Sequence, residues 1–322
     1  MNYQNIISKL NVFNEFKQYV NDNKLSQAYL FSCPDRFTNK NLLLLLAKVL
    51  LCKNQNACNV CEHCAKVNAG THPDLLIYPK DKNFVVEDSN NIYETVQVKP
   101  MLANKKVYVI NDIDNSTEQA QNKLLKIIEE PPQNVIFLFS ASNEEKVLST
   151  ILSRVFKLRV DKMQAEDLKN ILGSVDSQIA NVAISFGDGY LGKTLDLINN
   201  QKFVENYKNM ENLIIKLKRS EQIPYFSGFF AKDKATFQED LLILNDFFRD
   251  ILMLKVGENH LVKNNNLIAQ FEELLPEFST LALTTILNKL SLTKKKLDSN
   301  VGLTVLADNL LLDILEVKYL CK

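Results

Sequence analysis

Four cysteines lie close together at Cys52-x5-Cys58-x2-Cys61-x2-Cys64. Four thiolates at this spacing can surround a tetrahedral zinc at about 2.3 Å per Zn–S bond. With four protein ligands no coordination position is left for water, so the metal is expected to be structural. A pair of disulfides and a degenerate loop are the competing readings. A redox Cys-x-x-Cys brings two cysteines, not four, and a zinc deaminase needs an H-x-E beside its P-C-x-x-C, which is absent. His63, inside the motif, reads as a solvated loop residue. His72, in the turn Gly70-Thr71-His72-Pro73-Asp74, has no partner at ligand spacing outside the motif and reads as a turn-packing residue.

Two further places carry residues that phosphate chemistry uses. The apolar run Ala28–Ser32 is followed by CPDRFTNK, where a nucleotide-binding protein places its phosphate loop. Such a loop needs glycines so that backbone N–H groups wrap the phosphates, a Lys for the β/γ-phosphates and a Ser/Thr for magnesium. Here the three glycine positions hold Cys33, Arg36 and Thr38, and the Lys and Ser/Thr positions hold Asn39 and Lys40. Moving the frame by one restores a Lys but no glycine. The second place is Asn111-Asp112, after the apolar run Val107–Ile110. An ATPase expects Asp-Glu there, the Asp holding magnesium and the Glu polarising water. Asn lacks the charge and Asp is one methylene short of Glu. Both losses point to no intrinsic ATPase activity and no bound ATP. Beyond them lies Ser153-Arg154. From the residues alone Arg154 reads equally as a guanidinium directed at a phosphate or as a surface Arg paired with Glu144 or Glu145.

The elements that position these residues follow from hydrophobic periodicity. One helix is predicted over residues 3–22 from Ile6, Leu10, Phe13, Phe16 and Val20. A helix over Asn41–Leu51, a strand at Leu75–Tyr78 and a helix capped by Asp88 or Ser89 come next. A βαβ unit follows: Val107–Ile110, a helix over Ser116–Glu130 opened by the capping box Ser116-x-x-Gln119 and closed by Pro131-Pro132, and Val135–Phe139. In open parallel sheets chemistry sits beyond the carboxyl ends of the strands, which is where Asn111, Asp112, Ser140–Ser142 and Arg154 fall. Strand signals end after Arg154. Residues 161–200 read as short helices, with one beginning at Lys193 after GDGYLG, and everything from about 201 reads as helical. Phe203, Tyr207, Met210, Ile214 and Leu217, then Phe237, Leu241, Leu244, Phe248 and Leu252, form buried faces. Pro224 and SGFFAKDK mark a loop, and Leu303–Leu320 is the last helix.

Composition narrows the function classes. At 322 residues the chain can hold two or three cores. Lys+Arg and Asp+Glu both number 38, so no global basic field advertises nucleic-acid binding. The apolar run Leu42–Ala47 is too short to span a bilayer, and the N-terminus lacks the layout of a signal peptide. A cytoplasmic, reducing setting is therefore expected, in which cysteines are not disulfides by default.

The order AYLFS, a phosphate-loop-like turn, the four-Cys motif, GTHPDL, KVYVINDID, NKLLKIIEEPP and LSTILSR resembles the bacterial clamp-loader subunits of DNA polymerase III, and within them the delta-prime type. The resemblance is tight over about residues 25–160 and looser through GDGYLGK and LDSNVGLTVLADNLLL. It implies an AAA+ α/β domain over residues 1–160 with a zinc module at 52–64, a small helical lid at 161–202 and a helical collar at 203–322. It also implies a non-ATP-binding stator in a heteropentamer with gamma/tau motor subunits and delta, loading the sliding clamp onto primer-template DNA. Arg154 then matches the family's arginine finger, which acts in trans on ATP held by a neighbour. Family members carry Ser-Arg-Cys, and this chain has Ser153-Arg154-Val155. The resemblance places Ser140–Ser142 and Lys193 at phosphate-sensing positions, which read as structural where no nucleotide binds. A gamma/tau-like ATPase is the alternative within the family, and a separate zinc-dependent nucleic-acid binder the alternative outside it.

Overall fold

The computed structural model describes residues 3–173, 177–230, 233–297 and 301–320. The apolar runs become a five-stranded sheet. Its strands are β1 (Ala28–Ser32), β2 (Leu75–Tyr78), β3 (Lys106–Ile110), β4 (Val135–Ala141) and β5 (Phe156–Arg159). Their order is β2-β3-β4-β1-β5 and every neighbouring pair is parallel. β3 and β4 are buried along their whole length, which is why they read as unbroken apolar runs.

β5 corrects the expectation that strands end at Arg154. It is an edge strand in which only Leu158 is buried, and FKLR shows neither a continuous apolar run nor a long alternation. Pairing with β1 defines it. Phe156 at its start packs edge-on against Tyr29 and Tyr19, with ring centroids 5.7 and 5.4 Å apart.

The helices of this unit are α1 (Gln4–Ile7), α2 (Asn11–Asn21), α3 (Arg36–Leu51), α4 (Glu62–Asn68), α5 (Val86–Val96), α6 (Glu118–Glu129), α7 (Ser149–Leu152) and α8 (Ala165–Ile171). The helix expected over residues 3–22 is two helices. Leu10, buried, takes an extended ψ of 137° that breaks them apart. The cap of α6 also differs from expectation. Thr117 caps it by accepting the Ala120 N–H, while the Ser116 hydroxyl donates back to Ile113 O. α5 is not capped by Asp88 or Ser89 as expected: it starts earlier, with Val85 at the cap position, and Asp88 lies within its first turn, where its carboxylate accepts the Val85 N–H at 3.1 Å.

By its contacts the chain divides into two compact units: residues 1–171 with 189–193, and residues 172–188 with 194–322. The second unit is all helical, with α9 (Ser177–Gly187), α10 (Leu191–Asn199, its first turn counted with the sheet unit), α11 (Gln201–Lys216), α12 (Ile223–Phe230), α13 (Lys234–Lys255), α14 (Ile268–Leu274), α15 (Thr280–Lys296) and α16 (Leu303–Leu320). Its core takes the predicted faces of α11 and α13 and adds Ile286, Leu290, Leu310 and Leu311 from α15 and α16. Pro224 opens α12 instead of marking a loop, because a Pro in the first helical turn loses no hydrogen bond. Of the expected SGFFAKDK loop, Ser227–Phe230 is helical, and Ala231 and Lys232 lie outside the described residues.

Candidate functional site

The cysteine motif folds into one cluster. α3 ends at Leu51, and Cys52 turns the chain into extended backbone. The return passes through three non-glycine residues with left-handed φ: Gln55, Ala57 and Asn59. Cys61 then caps α4, its sulfur accepting the Cys64 N–H at 3.4 Å. The four sulfurs lie within 4.8 Å of one another. Cys52–Cys58, Cys52–Cys61 and Cys58–Cys64 are 3.6, 3.9 and 4.0 Å apart. A tetrahedron with Zn–S bonds of about 2.3 Å has S···S edges of about 3.8 Å, so the cluster has the size of a metal tetrathiolate and can bind a metal such as zinc. None of the four is in a disulfide.

The thiols are unevenly poised. Burial opposes ionisation of Cys52, but N–H donors from Cys58, Asn56 and Asn54 outweigh it and bring its pKa down to about 6. Cys61 is likewise lowered, its burial outweighed by donors from Cys64 and Lys53. Burial and the neighbouring sulfurs push Cys64 well above the ordinary thiol range. Four thiolates this close need a cation between them.

The two histidines differ from the sequence expectation for His63. It is buried on the inner side of α4, not solvated. His72 packs in its turn as expected, and its partner is His63, with Nδ1 of His63 and Nε2 of His72 3.0 Å apart. The Asp74 N–H donates to His72 Nδ1 at 3.1 Å, so His72 Nε2 carries the proton and donates to His63. Burial lowers the His72 pKa and keeps that ring neutral. Asp74 itself is fully buried and accepts the N–H groups of Met101, Leu102 and Ala103 at 2.6–2.7 Å.

The corner after β1 holds a feature that sequence reasoning missed. α3 begins at Arg36, not Asn41, so residues Arg36–Lys40 are helix and the loop shrinks to Cys33-Pro34-Asp35. The helix N-terminus is already occupied by an anion. Asp35 accepts the Phe37 N–H on Oδ1 at 3.2 Å, and the Thr38 hydroxyl and Gly192 N–H on Oδ2 at 2.5 and 2.7 Å. A Cβ on Gly192 would lie 2.1 Å from Asp35 Oδ1, so only glycine permits this approach. The local signal was an Asp just ahead of a helical apolar run, whereas the Gly192 contact has none. Asn39 donates to Cys33 O and Ala141 O, tying the ends of β1 and β4. Arg36 reaches Asn115 Oδ1 at 3.1 Å and Ser142 Oγ at 3.4 Å, and lies 3.9 Å from Asp112 Oδ2. Burial raises the Asp112 pKa despite Arg36. Asn111 donates to Tyr78 O, Ser140 accepts the Asp112 N–H, and Lys193 lies over the Tyr190 ring.

Arg154 follows α7 on the surface. Its guanidinium pairs with Glu129 at 2.7 Å, not with Glu144 or Glu145, and also donates to Thr150 O at 2.9 Å and Ser153 Oγ at 3.2 Å. Glu129 is the last residue of α6, in the IIEEPP segment. Arg154 and the cysteines are thus separate sites. Around the cysteines, Lys66 is paired with Glu62 at 2.8 Å and Lys53 is exposed.

The fold and these sites define a five-stranded parallel α/β unit carrying a four-cysteine cluster, together with a helical C-terminal unit. Residues 8–164 match the family model described as DNA polymerase III, delta subunit, and residues 201–315 match that of its C-terminal part. The chain belongs to the family of DNA polymerase III clamp-loader subunits that includes delta, delta-prime and gamma/tau. It is similar to DNA polymerase III subunit delta' of Bacillus subtilis, 26% identical over 92% of this chain and 93% of the relative. It is 31% identical to subunit tau of Escherichia coli over 46% of this chain, which spans about a quarter (24%) of that protein. Among solved structures it is similar to a gamma subunit-related protein from Thermotoga maritima, with a TM-score of 0.42, 16% identity and coverage of 95% and 99% of the two chains. Among the described residues no helix is long and apolar enough to cross a membrane.

Proposed function

We propose that this chain is the delta-prime-like subunit of a DNA polymerase III clamp loader: a stator that binds no ATP and supplies Arg154 to ATP held by a neighbouring gamma/tau motor subunit. The observation that carries the reading is the filled phosphate seat. A phosphate would need the helix N-terminus that Asp35 occupies, and placing a second anion against that carboxylate is unfavourable. No glycine is present to open a loop around a phosphate. Arg154, in contrast, is solvent-accessible and held by a surface carboxylate. Such a pair contributes roughly 0–1 kcal/mol and exchanges readily for a phosphate, which accepts the planar guanidinium as well or better. The full-length match to a delta' relative supports the same choice.

In this role the partners are the gamma/tau motors and delta, with the sliding clamp and primer-template DNA engaged through the assembled complex in the cytoplasmic replisome. Residues 1–160 form the AAA+ domain, 161–202 the lid and 203–322 the collar. Cys52, Cys58, Cys61 and Cys64 hold one structural zinc, which closes the loop between α3 and α4 and has no open position for catalysis. The 31% identity to tau over 46% of this chain favours the second reading, a gamma/tau-like ATPase.

Equilibrium binding of ATP to the isolated chain separates the two. No binding at millimolar ATP, together with co-purification of motor and delta subunits, is expected of the stator. Micromolar affinity would establish the motor reading.

A further inference from the structure

A buried lysine lies beside the cysteine cluster. Lys48 is on α3, one turn before Cys52, whose N–H bonds to the Lys48 carbonyl. The residue is 1% exposed. Its ammonium donates to three amide oxygens from three segments: Gln4 of α1 at 3.0 Å, Asn68 of α4 at 2.5 Å, and Asn59 of the cysteine loop. Among the described residues no carboxylate forms an ion pair with it. Amide oxygens satisfy its donors but leave its charge unbalanced, and a buried charge is retained only where an opposite charge compensates it.

The compensating charge is present in the thiolates. Lys48 is held against the cysteine motif on three sides: its ammonium bonds Asn59, next to Cys58, and Asn68, one turn after Cys64, and its carbonyl accepts the Cys52 N–H. Zinc with four thiolates carries a net double negative charge, itself unfavourable in a half-buried site. We propose that Lys48 is the resident counter-charge of the metal tetrathiolate, positioned by Gln4, Asn59 and Asn68, and that it controls how firmly the metal is held. Each buried group then offsets the cost of the other. The same three amides make Lys48 the joint between α1, α3 and the cysteine loop, so metal occupancy bears on the seating of the N-terminal helix. This inference rests on the zinc reading above.

The test compares removal of charge with removal of a hydrogen bond. Zinc-loaded full chain is mixed with a colorimetric chelator and the rate of zinc transfer is followed, with circular dichroism reporting the fold. Lys48→Met is expected to release zinc about 10–100-fold faster than the parent. Lys48→Arg keeps the charge and should stay within a few-fold of the parent. Asn68→Ala removes one acceptor and no charge, and should also stay close. In the cobalt-substituted protein, loss of the charge should shift the sulfur-to-cobalt absorption. Should Lys48→Met prevent folding, Lys48→Gln provides the neutral, polar version of the same comparison. Parental release rates in the neutral variants would overturn the proposal, as would Asn68→Ala releasing zinc as fast as Lys48→Met. A parent chain that takes up no zinc would instead defeat the zinc reading.

Discussion

Two corners of the sheet unit present charged groups in opposite conditions. After β1, Asp35 is buried and all of its geometry is used internally: two backbone N–H groups and a hydroxyl. After α7, Arg154 is accessible and its salt bridge runs to Glu129, itself on the surface. A buried, satisfied ion fixes structure and has no capacity left for a ligand. An accessible ion with a weak partner can change partners. The contrast is what the proposed function builds on: phosphate chemistry at Arg154 and an architectural role for the corner after β1 are the proposal that the following experiments test.

The sharpest break of this contrast is at Arg154. Arg154→Ala should lower ATP turnover at the served neighbouring site by about 10³-fold or more, measured in a reconstituted loader with clamp and primed DNA. The isolated chain should keep its stability within about 0.5 kcal/mol, as is usual for surface changes. Undiminished hydrolysis would leave Arg154 as an ordinary surface residue and erase the difference between the corners.

At the other corner, Gly192→Ala should destabilise the chain by roughly 1–3 kcal/mol, the usual cost of overpacking. The new methyl would meet Asp35 Oδ1 at 2.1 Å and Phe37 Cβ at 2.5 Å. Urea denaturation reads this directly. A shift near zero would show that the Asp35 seat is loose, and no ATP affinity should appear in the variant.

Asp74 tests whether an internally satisfied carboxylate is a repeated device. Burial raises its pKa, but the N–H groups of Ala103, Met101 and Leu102 outweigh burial and hold it below the ordinary value. A carboxylate whose folded pKa is depressed contributes stability that is fully present above the unfolded pKa, about 3.9. That contribution is lost as pH falls through the lower folded value. Asp74→Asn should therefore cost about 1–3 kcal/mol at neutral pH and flatten the loss of stability below about pH 4. An acid limb as steep as the parent's would contradict this.

The smallest effect is expected at Glu129. Glu129→Gln should change stability by no more than ~1 kcal/mol, and in the assembled loader it should leave the Arg154-dependent rate within a few-fold while reducing its salt dependence. A loss as large as that of Arg154→Ala would mean that Glu129 is part of the phosphate chemistry and not merely a resting partner.

Local pattern carried the central strands, the helical faces of α11 and α13, the last helix and the cysteine cluster. Each of these is written within a few residues: an unbroken apolar run, a three-four spacing, an x2 spacing of ligands. The missing phosphate loop was also legible, because absent glycines are a local fact. β5 was not, since FKLR is an edge strand whose exposed residues resemble a loop, and neither were the burial of His63 against His72 and the Glu129 partner of Arg154.

What the sequence determined by itself was the set of short-range commitments: which segments could be buried, which four sulfurs could meet, and that the turn after β1 carries no phosphate-loop glycines. Tertiary structure decided what that turn contacts. The Gly192 N–H reaches Asp35 from 157 residues away, and Lys48 finds its amide partners on three separate segments. No spacing rule encodes such meetings. They arise because a folded interior must pair every buried charge and donor with whatever group the packing of distant elements brings within reach.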